Sequence, residues 1–406
     1  MQWDTKFAQR TSFMRRSAIR EILKFTQNPD VISFAGGLPA PELFPVERIR
    51  EAVDTILTTR SAQALQYSTT EGVNELRDSI AARMSRGGVQ VTRDNIMIVG
   101  GAQQGIDLIG RVLLDEGDGL VVENPTYLGM LLAWKMYNLR YWTLDTDADG
   151  LLIDQLEFLL HYYPKLMYLV PNFQNPQGVT LNYQRRQQLV RLLDKYDCIV
   201  VEDDPYGDLR YEGEHIPALY EIEARMHGST KLEGRVIYSG SFSKILAPGL
   251  RVGWIAAPLP VIDKLVQAKQ SADLHSSTLA QWIAYEVGRG DFLKQHIETL
   301  RTVYHQRRDV MLDALARYFP EEVHWSTPAG GLFLMVTMPE YLDATELLQD
   351  AIAHKVAFVP GIDFFVGEAG WNTFRLNFSN ARPEMIEAGI KRLGDLLKEE
   401  VILQPM

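Results

Sequence analysis

At 406 residues the chain exceeds one ordinary domain, so a large domain with a smaller one is expected. With 46% hydrophobic and 23% charged residues it has the composition of a soluble globular enzyme, and a formal net charge of −11 argues against a nucleic-acid partner, whose phosphates call for a basic surface. The single cysteine, Cys198 in the apolar run Cys198-Ile199-Val200-Val201, rules out an intrachain disulfide.

The amino terminus, Met1-Gln2-Trp3-Asp4-Thr5-Lys6, lacks the basic-then-apolar layout of a signal peptide, and no run of about 18 apolar residues follows. No membrane span and a cytoplasmic location are therefore expected. Residues 1–30 read as an arm in which Arg15, Arg16, Ile19, Arg20, Ile22 and Leu23 follow the spacing of a short amphipathic helix. A strand is expected at Val31–Phe34, then a rigid turn through Gly36, Gly37, Leu38 and Pro39, then a helix from Val46 to Thr59. Tyr67 lies in a loop before a helix that begins near Gly72.

The run Asn95–Val99 reads as a strand that turns at Gly100-Gly101-Ala102-Gln103 into a helix. A helix amino terminus directs unpaired N–H groups and the positive end of its dipole at an anion, so this turn is a candidate phosphate site, or simply a tight turn. Its spacing fits neither a dinucleotide-binding fingerprint nor a Walker loop. Strands and helices go on alternating: strands at Leu120–Glu123, Arg140–Thr143 and Leu166–Val170, and a helix over 183–196. The Asn175-Pro176 pair marks a turn at one strand end. The strand Cys198–Val201 runs directly into Glu202-Asp203-Asp204, where three carboxylates suggest a charge site. No histidine cluster accompanies them, so no metal is expected.

The stretch 235–256 carries the chemistry. Apolar runs flank Ser241, Ser243, Lys244 and Arg251. A lysine between buried strands is held toward its neutral amine, the form that bonds covalently to a carbonyl compound. Hydroxyls and a guanidinium fork would cradle a phosphate. Together they point to pyridoxal phosphate (PLP) on Lys244; a solvated loop lysine is the other reading of this stretch. Beyond residue 260 the pattern changes to long helices, 260–269 and 293–318, and short strands at Val323–Trp325, Gly331–Val336, Val356–Val359 and Asn372–Phe378. The last holds Arg375 among apolar neighbours, either as a structural ion pair or as a clamp for a substrate carboxylate. Alternating strands and helices followed by this second pattern give an α/β domain and then an α+β domain.

In order along the chain, Gln66-Tyr67-Ser68-Thr69-Thr70-Glu71-Gly72, Gly101-Ala102-Gln103, Asn124-Pro125-Thr126-Tyr127, Asn172-Phe173-Gln174-Asn175-Pro176, Asp203-Asp204-Pro205-Tyr206 and Ser241-Phe242-Ser243-Lys244 resemble the PLP-dependent aminotransferases of fold type I, class I/II. The likeness is greatest to the branch of 2-aminoadipate, kynurenine and aromatic aminotransferases. It implies a large domain with a mostly parallel seven-stranded sheet and a small α+β domain. It also implies an arm or lid over 1–50, the large domain over 51–292 and the small one over 293–406. The reaction implied is amino transfer from an L-amino acid to a 2-oxo acid. Glutamate/2-oxoglutarate is the expected first pair, with a 2-aminoadipate, aromatic or branched-chain partner.

By the same resemblance Lys244 holds PLP and moves the substrate proton, Asp203 pairs with the pyridine nitrogen, and Asn175 and Tyr206 donate to the ring oxygen. Tyr127 stacks on the ring, and Ala102, Gln103, Ser241, Ser243 and Arg251 hold the phosphate. Ala102 stands where the branch usually has a hydroxyl residue. Tyr67 reaches the neighbouring subunit's phosphate in a homodimer with shared sites. Arg375 clamps the α-carboxylate beside Asn175 and Gly37, and Arg20 is a candidate reader of a distal carboxylate. A PLP-dependent β-lyase shares such a fold. A PLP-binding regulator does too, but the match begins near residue 30 and leaves no room for its DNA-binding head.

Overall fold

A computed structural model describes residues 3–14 and 30–403. The amphipathic helix expected around Arg15, Arg16 and Arg20 lies outside the described residues. Seven strands form one sheet in the order Ile96–Val99, Gly253–Ala256, Val236–Ser241, Ile199–Asp203, Leu166–Leu169, Gly119–Glu123 and Arg140–Leu144. Only Gly253–Ala256 runs antiparallel to its neighbours. The central strands are near-continuous runs of Val, Ile, Leu and Met, fully buried, as a parallel sheet covered on both faces requires. Helix Ala102–Leu113 packs on Leu128–Trp134 and Leu259–Asp273, while Tyr183–Lys195 packs on Leu219–Met226. Because the strands are parallel, Val99, Glu123, Leu169, Asp203 and Ser241 end along one edge.

A second core surrounds a four-stranded antiparallel sheet, ordered His324–Trp325, Phe333–Thr337, Thr373–Asn377 and Val359–Pro360. The 27-residue helix Phe292–Tyr318 packs there against Pro383–Leu403. Ile32–Ser33 crosses to this core and pairs in parallel with Val356–Ala357. The single strand expected over 356–359 is therefore two. Val356–Ala357 serves one pairing and Val359–Pro360 the other, and Phe358 between them is buried with its ring 4.4 Å from that of Phe374. Four further helices of eight residues or more, Leu219–Met226, Thr278–Gly288, Ala344–Ala353 and Pro383–Leu403, have no counterpart in the sequence reading. Among the described residues no helix is long and apolar enough to cross a membrane.

Trp134 ties the first helical layer to the sheet. It is fully buried, donates Nε1–H to the Ile106 carbonyl at 2.8 Å and meets the Tyr168 ring edge-on at 5.7 Å. Trp134→Ala is expected to lower the free energy of unfolding by about 3–5 kcal/mol through the cavity it leaves. Urea unfolding of the ligand-free protein measures this, and a loss below about 1 kcal/mol would contradict the packing described.

Candidate active site

The strand Ile199–Asp203 shows how the sheet edge sorts its charges. Side chains alternate between the two faces of a strand, so Glu202 and Asp203 part company. Both oxygens of Glu202 accept the Leu219 N–H, at 3.0 and 2.9 Å, where helix Leu219–Met226 begins. Asp204 accepts the Gly207 N–H at 2.9 Å and the Tyr238 hydroxyl at 3.2 Å, which fixes the turn. The charge site expected of three carboxylates thus reduces to one. Asp203, 2% exposed, accepts the Tyr168 hydroxyl on Oδ2 at 2.7 Å, while its Oδ1 is buried without a partner. Burial raises the Asp203 pKa to about 6 against the opposing effect of the Tyr168 hydroxyl.

Lys244 follows the strand Val236–Ser241. Its side chain is half-buried, and Nζ donates to the Gly37 carbonyl at 2.7 Å. Desolvation, with the Arg375 and Arg251 guanidinium charges behind it, lowers its pKa to about 8. The Gly36–Pro39 turn therefore reaches the same point as the lysine. Gly37 has space for little more than hydrogen there, since a Cβ would lie 3.1 Å from the Phe333 ring.

Arg375 is 1% exposed and has no carboxylate partner among the described residues. Nη1 donates to Asn175 Oδ1 at 2.7 Å and Nη2 to the Ala35 carbonyl at 2.7 Å, while Nε is unpaired. Its guanidinium carbon lies 4.2 Å from the Phe333 ring centroid and 5.1 Å from that of Phe364. Burial lowers its pKa to about 10. The ion pair considered for it in the sequence is absent among the described residues. Tyr206 stands beside these groups, 5% exposed and edge-on to Phe333 at 5.8 Å; burial foremost pushes its hydroxyl pKa up.

The turn after Ile96–Val99 forms a polar recess. Gly101 precedes helix Ala102–Leu113 at φ 85, and a Cβ there would meet Arg251 Nη2 at 2.7 Å, so backbone shape and space both call for glycine. Arg251 Nη2 donates to the Gly100 carbonyl at 2.9 Å, and Ser241 Oγ–H to Ser243 Oγ at 2.9 Å. Gln103 Nε2 donates to the Gly129 carbonyl at 2.7 Å, and the Tyr127 hydroxyl donates to Gln103 Oε1 at 3.3 Å.

These contacts join Lys244 to Gly37, Arg375 to Asn175, Tyr127 to Gln103 and Arg251 to the turn before Ala102. Tyr67 stands apart, 80% exposed with its ring 5.8 Å from His275, and Arg20 lies outside the described residues. The sequence reading missed Tyr168 and Phe333. Each reads as an ordinary strand apolar residue, and only the fold places the hydroxyl on Asp203 and the ring under Arg375. It also missed Arg186, which is fully buried and donates to the Leu181, Pro171 and Pro217 carbonyls and to Asn172 Oδ1 (2.8, 2.9, 3.0 and 2.7 Å), fixing the segment that leads to Asn175. The donor set fits PLP: an amine held toward neutrality, a buried carboxylate oxygen awaiting a donor, and a helix amino terminus with a guanidinium and two hydroxyls.

Residues 29–393 match the family model described as aminotransferase class I and II. The chain is 45% identical to aromatic-amino-acid aminotransferase 1 of Thermococcus litoralis, across 99% of this chain and 96% of that one. It superposes on the α-aminoadipate aminotransferase of Thermus thermophilus, solved with N-(5'-phosphopyridoxyl)-L-leucine, with a TM-score of 0.93 at 39% identity and full coverage of both chains. A kynurenine aminotransferase of Pyrococcus horikoshii superposes with a TM-score of 0.92 at 43% identity, covering 99% of this chain and 98% of that one.

Reactivity of the ligand-free protein tests the Lys244 environment. A pKa lowered to about 8 makes its amine half neutral near that pH, whereas an ordinary lysine titrates near about 10.4. Labelling with formaldehyde and cyanoborohydride should reach half its limiting rate at Lys244 near pH 8, as read by peptide mass spectrometry. A midpoint shared with the surface lysines would overturn it.

Proposed function

The chain belongs to the class I and II aminotransferases, PLP-dependent enzymes that move an amino group from an amino acid to a 2-oxo acid, and we propose that glutamate and 2-oxoglutarate form one of its substrate pairs. The other pair is drawn from 2-aminoadipate, aromatic and branched-chain amino acids. Relatives named for aromatic amino acids, 2-aminoadipate and kynurenine support that range. The observation that carries the reading is Arg375, a buried cation with no anion of its own beside the amine of Lys244.

In the proposal Arg375 binds the substrate α-carboxylate as a bidentate pair, and Asn175 and the Gly37 backbone complete the pocket. PLP, when bound, supplies an electron sink that stabilises negative charge at the substrate Cα. Lys244 would hold the cofactor through Nζ, and its amine, held toward neutrality, would serve as the base for the substrate Cα proton. Asp203, whose Oδ1 has no hydrogen-bond partner, would accept from the pyridine nitrogen and hold it protonated. Tyr168 keeps Asp203 oriented and favours its charged form. Tyr206 and Asn175 donate to the ring oxygen and Tyr127 covers the ring. The 102–103 helix start, Ser241, Ser243 and Arg251 take the phosphate. Residues 1–50 act as arm and lid, 51–292 as the large domain and 293–406 as the small one.

The proposal includes a cytoplasmic homodimer. The exposure of Tyr67, at a loop beside His275, supports it, and in the proposal this tyrosine reaches the partner's phosphate.

Asp203→Asn is expected to reduce kcat/KM by roughly 10²-fold, about 3 kcal/mol, with PLP still bound. An unchanged rate would remove Asp203 from the reaction. Arg375→Ala should raise KM for every amino acid and 2-oxo acid tried, again by roughly 10²-fold. A panel of amino donors with 2-oxoglutarate tests the pairing itself, which fails if 2-oxoglutarate is not aminated. A monomer in sedimentation would refute the shared site.

A further inference from the structure

Behind the recess formed by Gly100 and Ala102 lies a second polar group that the reaction does not use. Gln104 Oε1 accepts the Gly100 N–H at 2.6 Å and Lys269 Nζ at 3.1 Å, and Gln104 Nε2 donates to Asp273 Oδ2 at 2.7 Å. Lys269 is fully buried and pairs with Asp273 at 2.7 Å, whose carboxylate is 32% exposed. On the next peptide, Gly100–Gly101, Arg251 holds the Gly100 carbonyl at 2.9 Å. The two successive peptides that open the strand-to-helix turn, on either side of the Gly100 Cα, are thus each held by a side chain.

We propose that Gln104, Lys269 and Asp273 are positioning residues for the cofactor phosphate: Gln104 sets the turn whose helix start receives the phosphate, and Lys269 cancels the Asp273 charge that would otherwise repel it. A buried lysine serving only as a helix i,i+4 ion pair would need no third partner. Here its ammonium shares the oxygen that holds the Gly100 N–H, so loss of the lysine frees both the turn and the carboxylate. A phosphate dianion feels both changes, and a ligand without phosphate feels neither.

The inference rests on the functional reading above, and the experiment separates the two. Ligand-free protein is titrated with PLP and, separately, with pyridoxal, and binding is read from absorbance and borohydride trapping at Lys244. Lys269→Met is expected to weaken PLP binding by about tenfold or more while pyridoxal changes by less than about twofold. The double variant Lys269→Met/Asp273→Asn should regain part of the lost PLP affinity, because the uncompensated charge is gone while the turn still lacks its lysine. Gln104→Ala should weaken PLP selectively too, and it carries the comparison should Lys269→Met fail to fold. Equal effects on PLP and pyridoxal, or none, would overturn the inference. Wild-type protein that took up no PLP would instead overturn the assignment of the site.

Discussion

Asp203 and Arg375 are buried and Lys244 half-buried at one edge of the sheet, and none gains an opposite charge from the described residues around it. Burial accordingly raises the first pKa to about 6 and lowers the other two to about 8 and about 10. Two other buried carboxyls show what the chain does when charge is not to be used. Burial raises Glu123 and Glu202 to about 8, and each accepts a backbone N–H, from Val170 at 3.0 Å and from Leu219. Those hydrogen bonds tie strands and helices together. The first three groups are left wanting a partner, and a ligand with a pyridine nitrogen, an aldehyde and a carboxylate-bearing substrate offers one to each.

The parallel sheet makes this arrangement possible. Its interior strands are mostly apolar, so charged side chains gather where the strands stop, and they stop on the same side. Strand alternation then separates neighbours in sequence by function. Glu202 and Asp204 build the support while Asp203 faces the site. Arg375 arrives from a different sheet altogether, and the Ala35 carbonyl that holds it belongs to the segment joining the second core. The Gly37 carbonyl that holds Lys244 comes from the same segment, so both the substrate clamp and the cofactor anchor need both cores in place.

Much of this was legible in the sequence because the signals are local. Apolar runs ending in Gly100, Asn175, Asp203 and Ser241 mark strand ends, and the helix Val46–Thr59 falls where its periodicity places it. What the sequence hid are contacts between distant segments. Tyr168 and Asp203 are 35 residues apart, Gln104 and Lys269 are 165 apart, and Arg375 and Asn175 are 200 apart. Arg186 and Lys269 sit on helices, where basic residues are usually solvated, so nothing in their spacing marks them as buried. The division of 356–360 between two sheets was hidden for the same reason, since Val356–Ala357 pairs with Ile32–Ser33 at the other end of the chain while Val359–Pro360 pairs with the nearby Thr373–Asn377.

The same desolvation gives the ligand-free protein a weak interval in pH. Asp203 has a folded pKa above its unfolded value, so its contribution to stability is present at low pH and is lost as pH rises through about 6. Lys244 is shifted the opposite way; its contribution is present at high pH and is lost as pH falls through about 8. Between about 6 and about 8 both groups are charged, partly or wholly desolvated and without counter-ions among the described residues, so that interval is where the ligand-free protein is stabilised least by them. It is also the interval in which a ligand supplying a donor to Asp203 and a carbon to Lys244 stabilises the folded chain most, since binding to the native state alone shifts the folding equilibrium toward it. Tight retention of the cofactor and readiness of the amine to react thus have one physical origin, the removal of water from unpaired charges.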